Sequence, residues 1–282
     1  MASTEPASRL ATAATVTPSA QLASVNGIDL AWQSFGDGGP APLILLHGGF
    51  GSVEMFGPNV ATLAAGRRVI GVDLQSHGRS PAADRPMRFE AMADDIAALI
   101  HALDLGRADV LGFSLGGGVA LRLGIQHPAR VRRLVLVSTP FRRAGWYPEM
   151  SAAMDAMGPE VAPFMRQTPL GETYAAIAPR ADDWPILVNQ VTTLLKDDYD
   201  WTAEARALEP ATMLVAGDAD GLSPRHVVEF FELLGGGRRD ASWDRSGMSR
   251  HRLAILPGET HYDINVAPSL AATVRPFLDE AG

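Results

Sequence analysis

The chain alternates short apolar runs with stretches whose apolar positions recur every three or four residues. "LASVNGIDLAWQSF" alternates apolar and polar positions around Asn26-Gly27, the pattern of a hairpin closed by a tight turn. Six runs are apolar without alternation, as strands buried on both faces are: "PLILLH" (42–47), "RRVIGVD" (67–73), "ADVLGF" (108–113), "VRRLVLVS" (131–138), "ATMLVAG" (211–217) and "HRLAILPG" (251–258). Helical periods fall near 53–65, 89–103, 115–126, 224–234 and 266–279. In the second, Met92, Ile96, Leu99 and Leu103 share one face. This rhythm predicts an α/β fold, a mostly parallel sheet with helices on both faces. Residues 140–208 break the rhythm. They are helical in character and hold Trp146, Tyr147, Trp184, Tyr199 and Trp201. They predict a helical insertion over one end of the sheet, leaving a core of 21–139 and 209–282. Residues 235–250 predict a long loop. Residues 1–20, rich in Ala, Ser and Thr with no apolar stretch, predict a flexible tail and not a signal peptide.

Composition narrows the partners. The 282 residues are 46% hydrophobic and 20% charged, enough for one large core. The net charge of -8 leaves no basic surplus for nucleic acid or anionic lipid. No run is long and apolar enough to cross a bilayer. There is no cysteine, which excludes disulfides, thiolate metal sites and a cysteine nucleophile, and suits a cytoplasmic setting. The expected partner is a small molecule.

In a sheet of this kind, ligands bind beyond the carboxyl ends of the strands. After 108–113 comes Gly112-Phe113-Ser114-Leu115-Gly116, a G-x-S-x-G pattern set between strand and helix. Glycines two residues either side of Ser114 permit the sharp turn that presents a serine hydroxyl, and leave the Leu115 amide facing incoming negative charge. Gly117 and Gly118 are then expected to let the helix pack closely on the sheet. The same stretch fails as a phosphate loop, because Val119-Ala120 stand where Lys-Ser/Thr is required, and as a dinucleotide fingerprint, because Leu121 takes the third glycine's place. The lone lysine, Lys196, lies in the insertion and excludes a serine–lysine pair.

A serine needs a base. Of seven histidines, His261 follows the last strand directly; His101, His127, His226 and His251 read as surface or packing residues. An acid must fix the imidazole tautomer. "VAGDADGLSP" offers Asp218 and Asp220, and Asp220 is preferred because it lies further into the loop. Asp218 and Asp263 read as structural. "LLHGGFGS" supplies glycine-rich amides for a developing oxyanion, with Gly49 first and Phe50 second. Phe50, Phe113 and Trp146 are candidate substrate contacts, and the paired Arg142 and Arg143 are candidates to receive a substrate carboxylate.

With these residues in place the chain resembles the alpha/beta-hydrolase superfamily from about residue 21 to 280. The resemblance rests on "LLHGGFGS", "GVDLQSHGRS", "GFSLGGGVAL", "VAGDADGLSP" and "LPGETHYD", in the family's order. It implies eight strands, a helical cap after the sixth, a cofactor-free and metal-free triad of Ser114, Asp220 and His261, and an oxyanion hole of the Gly49 and Leu115 amides. Ser76 replaces the first glycine of the family's Asp-x-x-Gly-His-Gly-x-Ser, which puts the shape of that loop in question; Asp73 and His77 there read as structural. The activity implied is that of a serine hydrolase acting on small esters or lactones. Hydrolysis of a carbon–carbon bond by the same triad, and a sensor of the same fold with little turnover, are the alternatives.

Overall fold

The structure, a computed structural model, describes residues 18–280. Most of the flexible tail expected over 1–20 therefore lies outside the described residues. β1 (Gln21–Val25) and β2 (Ile28–Phe35) pair antiparallel across Asn26-Gly27, both at positive φ, as a two-residue hairpin turn requires. Six further strands follow: β3 (Leu43–Leu46), β4 (Val69–Asp73), β5 (Ala108–Phe113), β6 (Val131–Val137), β7 (Ala211–Ala219) and β8 (Arg252–Thr260). The sheet order is β1-β2-β4-β3-β5-β6-β7-β8, parallel from β4 onward, with β2 antiparallel to β4.

The unalternating strands are buried on both faces. In β3, Leu43 and Leu45 pack with α1 (Asn59–Ala64) and α10 (Pro268–Asp279), whereas Ile44 and Leu46 pack with α2 (Phe89–Ala102) and α3 (Leu115–Gln126). Each such fully buried Leu or Ile contributes about 1.5–3 kcal/mol. The helix expected over 53–65 is interrupted: a 3-10 turn, Val53–Phe56, is separated from α1 by Gly57 at φ 48 and by Pro58, which lacks an N–H. At the amino end of β5, Asp109 is fully buried and paired with Arg67 at 2.6 Å and Arg132 at 2.6 Å. This cluster anchors the edge of the sheet opposite to the site.

Between β6 and β7 stand α4 (Pro148–Ala156), α5 (Ala162–Met165), α6 (Pro169–Ile177), α7 (Trp184–Leu194) and α8 (Thr202–Arg206). Their apolar faces, including Tyr174, Trp184, Leu187, Val191 and Trp201, join the core on the α2–α3 side. The segment is tied to the core at two places, where Gln190 donates to the carbonyls of Ala83 and Arg85 and where the Trp146 backbone bridges Leu222; a further backbone bridge, Arg142 to Asp200, joins its own two ends. α9 (Pro224–Leu233) follows β7, and 235–250 is an irregular loop as expected. Among the described residues no helix is long and apolar enough to cross a membrane.

Candidate active site

Ser114 stands between β5 and α3 at φ 53, ψ −116, a region costing about 1–3 kcal/mol for a non-glycine residue. The turn is possible only because two neighbours lack side chains. A Cβ on Gly112 would lie 2.2 Å from the Gly116 carbonyl oxygen, and one on Gly116 would lie 2.4 Å from the carbonyl oxygens of Leu46 and His47. Gly117 approaches the sheet as expected: a Cβ there would lie 3.1 Å from the Gly112 carbonyl oxygen of β5, besides meeting the Thr139 hydroxyl. Gly118 differs from expectation, facing the Phe89 ring of α2 and not the sheet.

β8 ends at Thr260, which puts His261 at the same end of the sheet. Its Nε2 is 3.0 Å from Ser114 Oγ, and its Nδ1 is 2.9 Å from Asp220 Oδ1. Asp220 also accepts the Leu222 amide at 3.1 Å, the Gly217 amide at 3.4 Å and the Ser138 hydroxyl. Burial works against ionising this carboxyl, but the bonds from His261, Ser138 and Leu222 outweigh it and hold it below the usual carboxylate range. An ionised Asp220 accepts Nδ1–H, which leaves Nε2 free to accept the serine proton. Asp218, the rejected alternative, takes the Gly258 amide at 2.8 Å and holds the irregular end of β8. Asp263 caps Thr260.

The loop after β3 brings Gly49 against Leu115; a Cβ on Gly49 would lie 3.5 Å from Leu115 Cδ1. Among the described residues neither the Gly49 nor the Leu115 amide donates to a protein acceptor. The Phe50 amide is engaged instead, donating to His77 Nε2 at 3.2 Å, while His77 Nδ1–H donates to the Gln75 carbonyl at 2.8 Å. His47 is likewise used at both nitrogens, by the Gly48 carbonyl and the Leu74 amide. Burial pushes both imidazoles down, His77 strongly, so they stand neutral as scaffolding. Ser76 takes the glycine-like conformation itself, at φ 62, and its hydroxyl accepts the Ala83 amide at 3.0 Å, so the loop keeps its turn despite the replaced glycine. Asp73 accepts the amides of Val53 and Arg79 at 2.9 Å each.

A sequence model of the alpha/beta hydrolase fold matches residues 41–272. The chain is an alpha/beta hydrolase. It is 43% identical over 122 residues to the pimeloyl-[acyl-carrier protein] methyl ester esterase of Neisseria meningitidis, covering 43% of this chain and 45% of that one. It is 38% identical over 109 residues to the 2-hydroxymuconate semialdehyde hydrolase of Pseudomonas sp. strain CF600, covering 35% of this chain and 36% of that one. The matches to curated relatives thus span about a third to under half of those proteins' length. The enol-lactonase of Burkholderia xenovorans superposes with a TM-score of 0.69 at 22% identity, over 92% of this chain and 100% of that one, a likeness of fold.

Beside the serine of this hydrolase is a cavity of about 30 Å³, lined by Ser114, Leu115, Gly118, Trp146, Met154 and Tyr199 among others. Of the three aromatics expected to contact substrate, only Trp146 lines it; its ring meets His261 edge-on at 5.3 Å. The other two do not line it. Phe113 turns to the opposite face, under Gly48 and beside His261, and Phe50 is buried toward Trp184 at 6.5 Å. Arg142 is committed to both oxygens of Glu229 at 2.8 and 2.7 Å, and Arg143, which lines the cavity, is paired with the exposed Asp155 at 2.7 Å. Sequence reasoning missed Ser138. It is fully buried, stands at φ 52 and follows β6, so a strand-end position was its only signal.

Proposed function

We propose that this alpha/beta hydrolase cleaves carboxylic esters or lactones of small, largely apolar substrates through an acyl-enzyme on Ser114. The observation that carries the reading is the unbroken hydrogen-bonded line Ser114–His261–Asp220, opening on a cavity at the carboxyl edge of the sheet. His261 Nε2 takes the Ser114 proton as Oγ attacks the carbonyl carbon. Asp220 holds the Nδ1–H tautomer and stabilises the imidazolium. The negative charge on the former carbonyl oxygen is met by the Gly49 and Leu115 amides, which donate to nothing else among the described residues. Collapse expels the alcohol, protonated by His261. Water, deprotonated by the same imidazole, then attacks the acyl-enzyme and releases the acid and the serine. The esterase named among the relatives and the lactonase named among the structures support this class of bond.

Ser114→Ala is expected to lower p-nitrophenyl ester turnover by at least about a thousandfold with an unchanged circular dichroism spectrum. Undiminished turnover overturns the reading. Similarity to 2-hydroxymuconate semialdehyde hydrolase keeps carbon–carbon hydrolysis as a second reading. A kcat/KM for a vinylogous diketone well above that for every simple ester decides in its favour.

A further inference from the structure

Two cavities lie back to back where the insertion meets α2. The inner one, about 30 Å³, touches Ser114 and has room for about one water or a methyl group. The outer one, about 300 Å³, reaches the size of small-molecule sites. Phe89, Leu194 and Tyr199 line both and are therefore the wall between them. The rest of the outer lining is Arg88, Glu90, Asp197, Asp198 and Trp201.

The wall is built from the reactive end outward. Trp146, edge-on to His261, lines the inner cavity together with Tyr199. Tyr199 stacks on Trp201 at 4.2 Å, and Phe89 meets both edge-on, at 5.6 and 5.4 Å. On its other side Phe89 packs where only glycine fits, 2.6 Å from a Cβ built on Gly118. An acyl arm longer than acetyl cannot end in the inner cavity. Phe89, Leu194 and Tyr199 are the side chains that separate it from the larger outer cavity.

We propose that the outer cleft is the distal half of the substrate site, entered from Ser114 past Tyr199, and that it selects an arm with an apolar middle and a cationic end. This rests on Ser114 being the nucleophile. The middle meets Phe89, Leu194 and Tyr199. The end meets Asp197 and Asp198, exposed carboxylates with no cationic partner among the described residues, beside aromatic rings that also attract cations. Glu90 is held by Arg122 at 3.6 Å, and Arg88 is the one cation in the lining.

The test uses the full chain and four p-nitrophenyl esters: acetate, hexanoate, 6-(trimethylammonio)hexanoate and adipate monoester. The last three have similar reach and differ in terminal charge. The expected kcat/KM order is cationic, then neutral, then anionic, each step about threefold to tenfold at low salt. The Asp197→Asn/Asp198→Asn variant, altered only at exposed positions, is expected to bring the three within about twofold and leave acetate unchanged. Tyr199→Ala is expected to raise hexanoate relative to acetate about tenfold by opening the wall. No charge order in the unaltered protein, or the same order in the Asn variant, overturns the cationic end. An unchanged length profile in Tyr199→Ala overturns the route. In each of those cases undiminished acetate turnover leaves Ser114 as nucleophile standing, whereas absence of turnover of every ester overturns both readings.

Discussion

Ser138→Ala removes one donor from Asp220 and nothing else of size. Oδ1 keeps the His261 ring at 2.9 Å and the Leu222 amide at 3.1 Å; Oδ2 keeps only the Gly217 amide, at 3.4 Å. A hydrogen bond to an ionised group contributes about 1.5–3 kcal/mol. In a domain of this size that loss lowers Tm by about 3–10 °C. The carboxyl loses part of what holds its pKa down. Its pKa is depressed in the folded state, so its contribution to stability is present above the unfolded value and lost as pH falls through the folded one. In the variant that contribution shrinks and the acid-side loss of stability starts at higher pH. Asp220 stays ionised at neutral pH, so the drop in turnover there reflects aim rather than charge. The expected fall in kcat/KM is about tenfold, equivalent to about 1.4 kcal/mol. Ser138→Gly separates the hydroxyl from the backbone, because glycine accepts φ 52 without strain. The assay is a pH series of ester hydrolysis with a melting curve at each pH. Wild-type kinetics and an unmoved acid limb in Ser138→Ala, or full recovery in Ser138→Gly, refute a role for the hydroxyl in positioning Asp220.

Asp109→Ala leaves Arg67 and Arg132 without their shared carboxylate at the far edge of the sheet; a denaturant titration is expected to show a loss of about 3–5 kcal/mol, with kcat unchanged at low temperature. Burial drops His226 and His251 from 6.5 to about 4, so between those pH values the unfolded chain binds protons that the folded one refuses. Stability should decline as pH falls through that window, by roughly 3 kcal/mol per histidine at its lower end, and His251→Asn, which keeps an acceptor for the Thr212 amide, should flatten the slope of Tm against pH.

The sheet was legible because its strands carry unbroken apolar runs, and the β5–α3 junction was legible to the residue because Gly112 and Gly116 punctuate it. The break at Gly57-Pro58 was readable from the same rules, but the apolar period on both sides masked it. At the site, chain order led to Ser114 and His261, and loop depth separated Asp220 from Asp218. Side-chain direction at strand ends was not legible. Phe113 falls on the face away from the cavity, and Phe50 is turned inward by a left-handed backbone pinned at its amide by His77. Ser138 carries no pattern of its own, since a serine after a strand is common and its bond to Asp220 spans 82 positions. The commitments of Arg142 and Arg143 depend on partners from α9 and α4 that no local pattern reveals.

The most direct test of the account is the mass of the protein after exposure to a fluorophosphonate, followed by peptide mapping. The account predicts one added phosphonyl group, on Ser114, with labelling abolished in Ser114→Ala and slowed by at least about a hundredfold in His261→Ala, since the hydroxyl needs its base. A label on another residue, or ester turnover by a protein whose Ser114 never reacts, contradicts it.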